Sequence, residues 1–361
     1  MLIHLPYADP YEIGVAGSRF VEPDRSTADL PDTTDLWALP GLADSHAHVS
    51  MTSLADFDAI TDDSMASTIP ANTWAHLDHG VVLILDKGGK TDATLMMLDH
   101  DADLRLHIEA AGAMVHPAGG YYDGFGTEVE PDDLIDYIGA AASLRGGWLK
   151  LVGDWPRRGQ GPVNNWPIDV LREAVEVTHA GGARVAIHSM AHSASEAVAA
   201  GVDSIEHGPF LTDDDLRSLA TRGGAWVPTI VNMLHLRDML GADSSGGRMF
   251  QEGLDRMRST LPLAEDLGVT VLAGTDMAVP PGEVATEALR LREYGLSNQG
   301  AARATTTSAF DYVGRSDRPR VGEEADAVFF DENPFEDVAV LARPRMILRR
   351  GNIVRSYAVD A

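Results

Sequence analysis

The run Asp44-Ser45-His46-Ala47-His48 carries two histidines at i and i+2. On an extended strand both side chains point the same way, so both imidazoles can reach one metal ion. A lone His-x-His also arises by chance, as two incidental surface histidines. Here three further residues occupy equivalent places. His188 ends the apolar run 183–187, His207 ends 202–206, and Asp276 follows 269–273 through Gly274-Thr275. Any one of them could be a satisfied polar group at a strand end. Together, four histidines and an aspartate form a nitrogen/oxygen ligand set suited to Zn²⁺ or a similar divalent ion.

Lys150 ends a further apolar run of the same kind, 148–149, the fourth strand in chain order. A lysine ammonium has no lone pair and cannot ligate a metal. A carboxylated lysine can, because its carbamate offers two oxygens able to bridge two cations. The alternative is an ion pair with a carboxylate such as Asp154. Lys87, Lys90 and Lys150 are the only lysines among 28 basic residues. Arginine would be the default wherever only a positive charge was wanted, so a lysine at this position favours the carbamate.

These residues need a scaffold that brings strand ends together. Short runs rich in Val, Ile and Leu recur at 37–43, 80–85, 104–113, 148–152, 183–187, 202–205, 225–229 and 269–273, as buried parallel strands would. Helical patterns at 131–144, 168–180, 212–222, 251–267 and 297–313 lie between or after them, with Thr212 and Ser297 as N-caps. Eight strands alternating with helices predict a (β/α)8 TIM barrel over 39–317, whose active site lies at the carboxyl ends of the strands. A doubly wound sheet is the alternative, but no glycine-rich phosphate loop follows the first strand. Residues 1–38 together with 318–361 are expected to form a small accessory β-sandwich domain.

Several polar groups follow strand ends and are candidate substrate contacts: His116, Tyr121, Tyr122, Asp154, Trp155, His192 and His235. His4, His76, His79, His100, His107 and His179 are expected to be structural or solvated. Asp86 is expected to anchor its loop, and Trp37, Trp74 and Trp226 to pack.

A net charge of −27 argues against nucleic acid or an anionic membrane as partner, since both need a basic footprint. The absence of cysteine excludes disulfides, thiolate metal sites and a cysteine nucleophile. No apolar run approaches the roughly 18–20 residues of a membrane span, and the N-terminus lacks the pattern of a signal peptide. A cytoplasmic protein acting on a small molecule is the expectation.

The run Leu39-Pro40-Gly41-Leu42-Ala43-Asp44-Ser45-His46-Ala47-His48 resembles the PGLID-H-H signature of the amidohydrolase superfamily. Leu85-Asp86-Lys87-Gly88-Gly89, Leu149-Lys150-Leu151-Val152, Gly201–Gly208, Ala273-Gly274-Thr275-Asp276 and the tail 322–334 are similar to its imidazolonepropionase-like and metal-dependent prolidase or dipeptidase branch. The resemblance runs from about residue 36 to the C-terminus. It implies a binuclear site. His46, His48 and Asp276 would hold the more buried metal, His188 and His207 the second, and N6-carboxylated Lys150 would bridge them. Asp276 would take the proton of a metal-activated water and pass it to the leaving nitrogen. Gly119-Gly120-Tyr121-Tyr122 stands where many relatives carry Gly-Gly-His, and the N-terminal segment is short. The expected activity is hydrolysis of an amide C–N bond in a dipeptide, an N-acyl amino acid or a cyclic amide. The alternatives are aromatic deamination with one metal, promiscuous ester or lactone hydrolysis, and a non-catalytic binding protein on the same scaffold. Relatives of this kind often form homo-oligomers.

Overall fold

The structure is a computed structural model that describes residues 1–53, 60–99, 106–157 and 159–356. His100 lies outside these residues.

Eight parallel strands form a ring: Leu42–Ala47, Val81–Asp86, His107–Ala110, Trp148–Val152, Arg184–Ser189, Ser204–His207, Ala225–Val227 and Thr270–Val271. Each is paired in parallel with the next, the third reaching the fourth through bridges Ala110–Gly147 and Val115–Leu151. The ring closes where Ser45 N–H donates to Ala273 O at 2.8 Å and Asp276 N–H donates to His46 O at 2.8 Å. Gly274 permits this closure, because a Cβ there would stand 2.5 Å from His46 Cβ and 2.7 Å from Val227 Cγ1. The result is a (β/α)8 barrel whose strands are buried over most of their length, which explains why they read as continuous apolar runs rather than alternating ones.

The expected strand 37–43 is two strands. Pro40 and Gly41 break it, Gly41 taking φ 144° against Val82, where a Cβ would approach to 2.7 Å. Trp37–Leu39 then joins a four-stranded antiparallel sheet with Ala327–Phe330, Met346–Arg349 and Asn352–Ser356. Its strands Ala327–Phe330 and Met346–Arg349 are buried on both faces with a period of two, whereas the edge strand Asn352–Ser356 is largely exposed. Leu39, Val328, Phe330 and Ile347 pack into the barrel core. Ala38, Ala327, Phe329, Met346 and Leu348 pack instead with Ile3, Leu5, Ile13, Val15 and Phe20 of the N-terminal hairpins.

Helix Ile168–Ala180 has the bounds expected, and Thr212 caps helix Asp213–Arg222 in a capping box with Asp215. The expected helix 297–313 is broken into Asn298–Ala304 and Thr307–Tyr312, with Ser297 capping the first. Trp226 is fully buried, and Trp74 is 42% exposed. Its helix, Asp62–Asp78, buries Ile69, Asn72, Thr73, His76 and Leu77 and turns Trp74 outward.

Candidate metal centre

The first strand carries Asp44, His46 and His48 at alternate positions, all buried. Asp44 accepts from Thr275 N at 3.1 Å, Thr275 Oγ1 at 2.6 Å and His46 N at 3.2 Å, so it ties the first strand to the segment bearing Asp276. His48 Nε2 stands 2.9 Å and His46 Nε2 3.4 Å from Asp276 Oδ1. One ligand atom from each of these three residues fits within a span of 4.8 Å.

The second group follows the fifth and sixth strands. His207 Nε2 lies 3.0 Å from His188 Nδ1 and 3.8 Å from Asp276 Oδ2. The His46 and His207 ring centroids are 5.0 Å apart, so the two groups share one ring of side chains. In three of the four histidines Nδ1 faces an oxygen. His48 Nδ1 meets Gly88 O at 2.5 Å, His207 Nδ1 meets Thr229 Oγ1 at 2.6 Å, and His46 Nδ1 stands 2.7 Å from Glu206 Oε2. An oxygen at Nδ1 favours the tautomer that leaves the Nε2 lone pair free for a metal.

Electrostatics follow from burial. Desolvation pulls His46 and His207 well below the usual imidazole range and His188 to about 4, so all three are neutral donors. Burial opposes the charged form of His48 too, but its contact with Asp276 outweighs that and raises it. Burial works to raise Asp276, yet His46 and His48 hold its carboxyl below the usual range. Burial, helped by the nearby Lys87 charge, brings the Lys150 ammonium down to about 8.

Lys150 is 1% exposed, and its Nζ has no hydrogen-bond partner among the described residues. Asp154, the ion-pair partner of the alternative reading, is otherwise engaged. It accepts from Met190 N, Ala191 N, Ser193 N and the Ser189 and Ser193 hydroxyls, which fixes the loop after the fifth strand. The Nε2 of His188 is likewise buried without a partner. Neutral imidazoles, a depressed carboxyl and two orphaned buried nitrogens in one ring fit divalent cations, whose binding would satisfy groups that are otherwise costly to bury.

Backbone strain gathers at the same place. Among the described non-glycine residues, His207, Thr229, Asp276, Met277 and Arg350 have φ between 47° and 68°. Four of these five lie at the ends of the sixth, seventh and eighth strands. Such conformations cost of order 1–3 kcal/mol each and persist where the surroundings hold them. Here Trp226 Nε1 donates to His207 O at 2.7 Å, and Asp276 N–H is held by His46 O.

The chain matches the amidohydrolase family over residues 37–354. It belongs to that family. As an amidohydrolase it is a hydrolase acting on carbon–nitrogen bonds. It is 33% identical over 332 residues to an uncharacterized protein of Mycobacterium tuberculosis, covering 87% of this chain and 84% of the relative. It is 26% identical over 345 residues to an imidazolonepropionase of Salinispora tropica, covering 83% and 79% of the two chains. Among solved structures, that of a Xaa-Pro dipeptidase with bound methionine superposes with a TM-score of 0.81 at 20% identity, covering 98% and 99%. No helix among the described residues is long and apolar enough to cross a membrane.

The candidate substrate contacts of this amidohydrolase divide. Tyr121, Tyr122 and Trp155 form an aromatic cluster with centroids 4.6–5.0 Å apart, and Tyr121 and Trp155 stand 5.8 and 6.2 Å from the His188 ring. His116 is turned to its own loop and Asp154 to the loop after the fifth strand instead. Both His116 ring nitrogens meet backbone oxygens, of Pro117 at 3.0 Å and Phe125 at 2.6 Å, because a buried imidazole must find partners nearby. His192 is exposed at the N-cap of helix Ser193–Ala200, its ring 5.1 Å from Phe210. His235 is exposed on helix Ile230–Leu240. Asp86 accepts from Val49 N and Gly88 N and so holds its loop, as expected.

Four contributors were not singled out from sequence: Asp44, Lys87, Glu206 and Asn232. Asn232 Nδ2 donates to Asp276 Oδ2 at 2.5 Å. Glu287 positions it by accepting from Ile230 N and Val231 N at the start of the same helix. A signal for Glu206 does exist in the sequence. A carboxylate inside the apolar run Val202–His207 must be paired if that run is buried.

Proposed function

We propose that this amidohydrolase cleaves an amide C–N bond in a small molecule, a dipeptide, an N-acyl amino acid or a cyclic amide, using two divalent ions, zinc in the first instance. His46, His48 and Asp276 would hold one ion, His188 and His207 the other, and N6-carboxylated Lys150 would bridge them. The observation that carries this reading is Lys150, whose buried Nζ has no hydrogen-bond partner among the described residues and lies in the same ring as five competent ligands. A bound divalent ion supplies a Lewis acid and lowers the pKa of its water towards about 7.

The protein's own residues do the rest. Asp276, kept ionised by His46 and His48, takes the proton from water and passes it to the departing amide nitrogen. Asn232 donates to one carboxylate oxygen and fixes its direction, leaving the other to face His48 and His46. Tyr121, Tyr122 and Trp155, their rings set edge to face, offer an aromatic wall beside His188 for the acyl or side-chain portion of the substrate. The similarity to proteins named imidazolonepropionase and Xaa-Pro dipeptidase supports amide chemistry.

A second reading is a one-metal aromatic deaminase. It is favoured by the tightness of the His46–His48–Asp276 group, which could serve one ion by itself. Metal analysis together with a panel of dipeptides, N-acyl amino acids and cyclic amides tests both. Two ions per chain with amide turnover supports the first reading, and one ion with ammonia release supports the second.

A further inference from the structure

Beneath the ligand ring lies a buried polar chain that no ligand role accounts for. His46 Nδ1 stands 2.7 Å from Glu206 Oε2. The approach is short but bent, and neither atom has an aligned hydrogen-bond partner among the described residues. The other carboxylate oxygen, Oε1, is 3.1 Å from Lys87 Nζ and accepts from Ser204 Oγ at 2.6 Å. Lys87 and Glu206 are both fully buried, and Lys87 Nζ sits 4.2 Å from the centroid of the Trp148 ring. Glu206 and His207 are consecutive, and strict strand alternation would put them on opposite faces. The left-handed backbone of His207, φ 68°, breaks that alternation, and both residues serve His46.

A buried charge pair is expensive and is weak evidence for stability in its own right. Its geometry gives it a different use. Lys87 offers only donors, so it holds Oε1 and leaves Oε2 as a fixed acceptor facing His46.

We propose that Glu206, pinned by Lys87 and Ser204, is a positioning residue that holds His46 as the Nδ1–H tautomer, so that Nε2 keeps its lone pair for the divalent ion. This rests on the reading of His46 as a ligand. Outer partners of ligating histidines typically account for about 10–100-fold in metal affinity.

Two double variants isolate the effect, since each removes the buried charge pair as a unit and avoids stranding one charge. In Lys87→Met/Glu206→Gln the amide oxygen can still accept from Nδ1. In Lys87→Met/Glu206→Leu nothing can. Zn²⁺ affinity, measured by competition with a chelator, is expected to stay near wild type in the first and to fall about 10–100-fold in the second. Nitrogen-15 NMR of the imidazoles in chelator-treated protein gives a readout that needs no ion. It should show Nδ1–H at His46 in wild type and in the Gln variant, and loss of that preference in the Leu variant. Equal Zn²⁺ affinities or equal tautomers in the two variants overturn the proposal. His46→Ala separates it from the parent reading: full Zn²⁺ affinity in that variant removes His46 as a ligand and the relay with it.

Discussion

Asn232 Nδ2 lies 2.5 Å from Asp276 Oδ2, while His48 Nε2 stands 2.9 Å from Oδ1 of the same carboxylate. The two oxygens face different neighbours, one the helix after the seventh strand and the other the end of the first strand. Asn232→Ala releases one of them. A hydrogen bond to a charged group is worth about 1.5–3 kcal/mol, so kcat on the best amide substrate should drop roughly 10–100-fold with zinc content unchanged. Steady-state kinetics and metal analysis on one preparation check this. A parallel loss of zinc would assign Asn232 to holding the ion instead.

Lys150 is the residue on which the two-ion reading depends. Lys150→Ala should reduce the metal content from two ions to one or none and cut turnover by at least about 100-fold, a cost of roughly 2.7 kcal/mol. Wild-type protein should carry a carbonyl signal enriched on growth in ¹³C-bicarbonate, and the variant should lack it. Undiminished metal and activity in Lys150→Ala would remove the carbamate bridge.

Trp155 packs at 4.6 Å from Tyr121 and 4.7 Å from Tyr122, next to His188. If this cluster receives a planar group, Trp155→Ala should raise KM for N-acyl substrates with aromatic acyl groups about tenfold, equivalent to about 1.4 kcal/mol, and leave N-acetyl substrates little changed. The ratio of kcat/KM for the two classes is the measurement. A uniform fall for both would mean the tryptophan only supports the loop.

At the opposite end of the barrel, Asp326 accepts from Arg350 N at 2.8 Å and contacts His107 Nε2 at 3.1 Å and the Arg349 guanidinium, with Glu324 alongside. Burial works to raise its pKa, but His107 and Arg349 outweigh that and lower it from 3.8 to about 2. A depressed carboxyl adds stability that is complete above its unfolded value and is lost as pH falls through its folded value. Wild type should therefore lose roughly 2 kcal/mol from this group as pH falls from about 4 to 2. Asp326→Asn should be less stable at pH 7 and flatter across that window. Urea melts at pH 7, 4 and 2.5 test the sign, and an unchanged acid slope would contradict it.

Much of the site could be read without coordinates. Each of His46, His188, His207 and Asp276 stands at the end of an apolar run, and parallel barrel strands are apolar throughout because both faces are covered. Helix Ile168–Ala180 was likewise readable from its 3.6-residue spacing. Helix Ile230–Leu240 was not, because only its first turn is buried and it carries little amphipathic pattern. The break at Pro40-Gly41 was hidden because apolar residues flank it on both sides, although they pack into different sheets. His116 and Asp154 follow strand ends as substrate groups would, yet nearby backbone groups take up their polar atoms.

The amino-acid sequence by itself determined the ring of strands, the candidate ligand types and their common position at the strand ends, because strand periodicity and donor chemistry are local properties. Only the tertiary structure decided that Glu206 meets Nδ1 of His46, that Lys87 meets Glu206, that Asn232 meets Asp276 and that the Lys150 Nζ has no hydrogen-bond partner among the described residues. Those relations join residues far apart in sequence across a closed barrel, where a shift of one residue in strand register would turn each side chain to the other face.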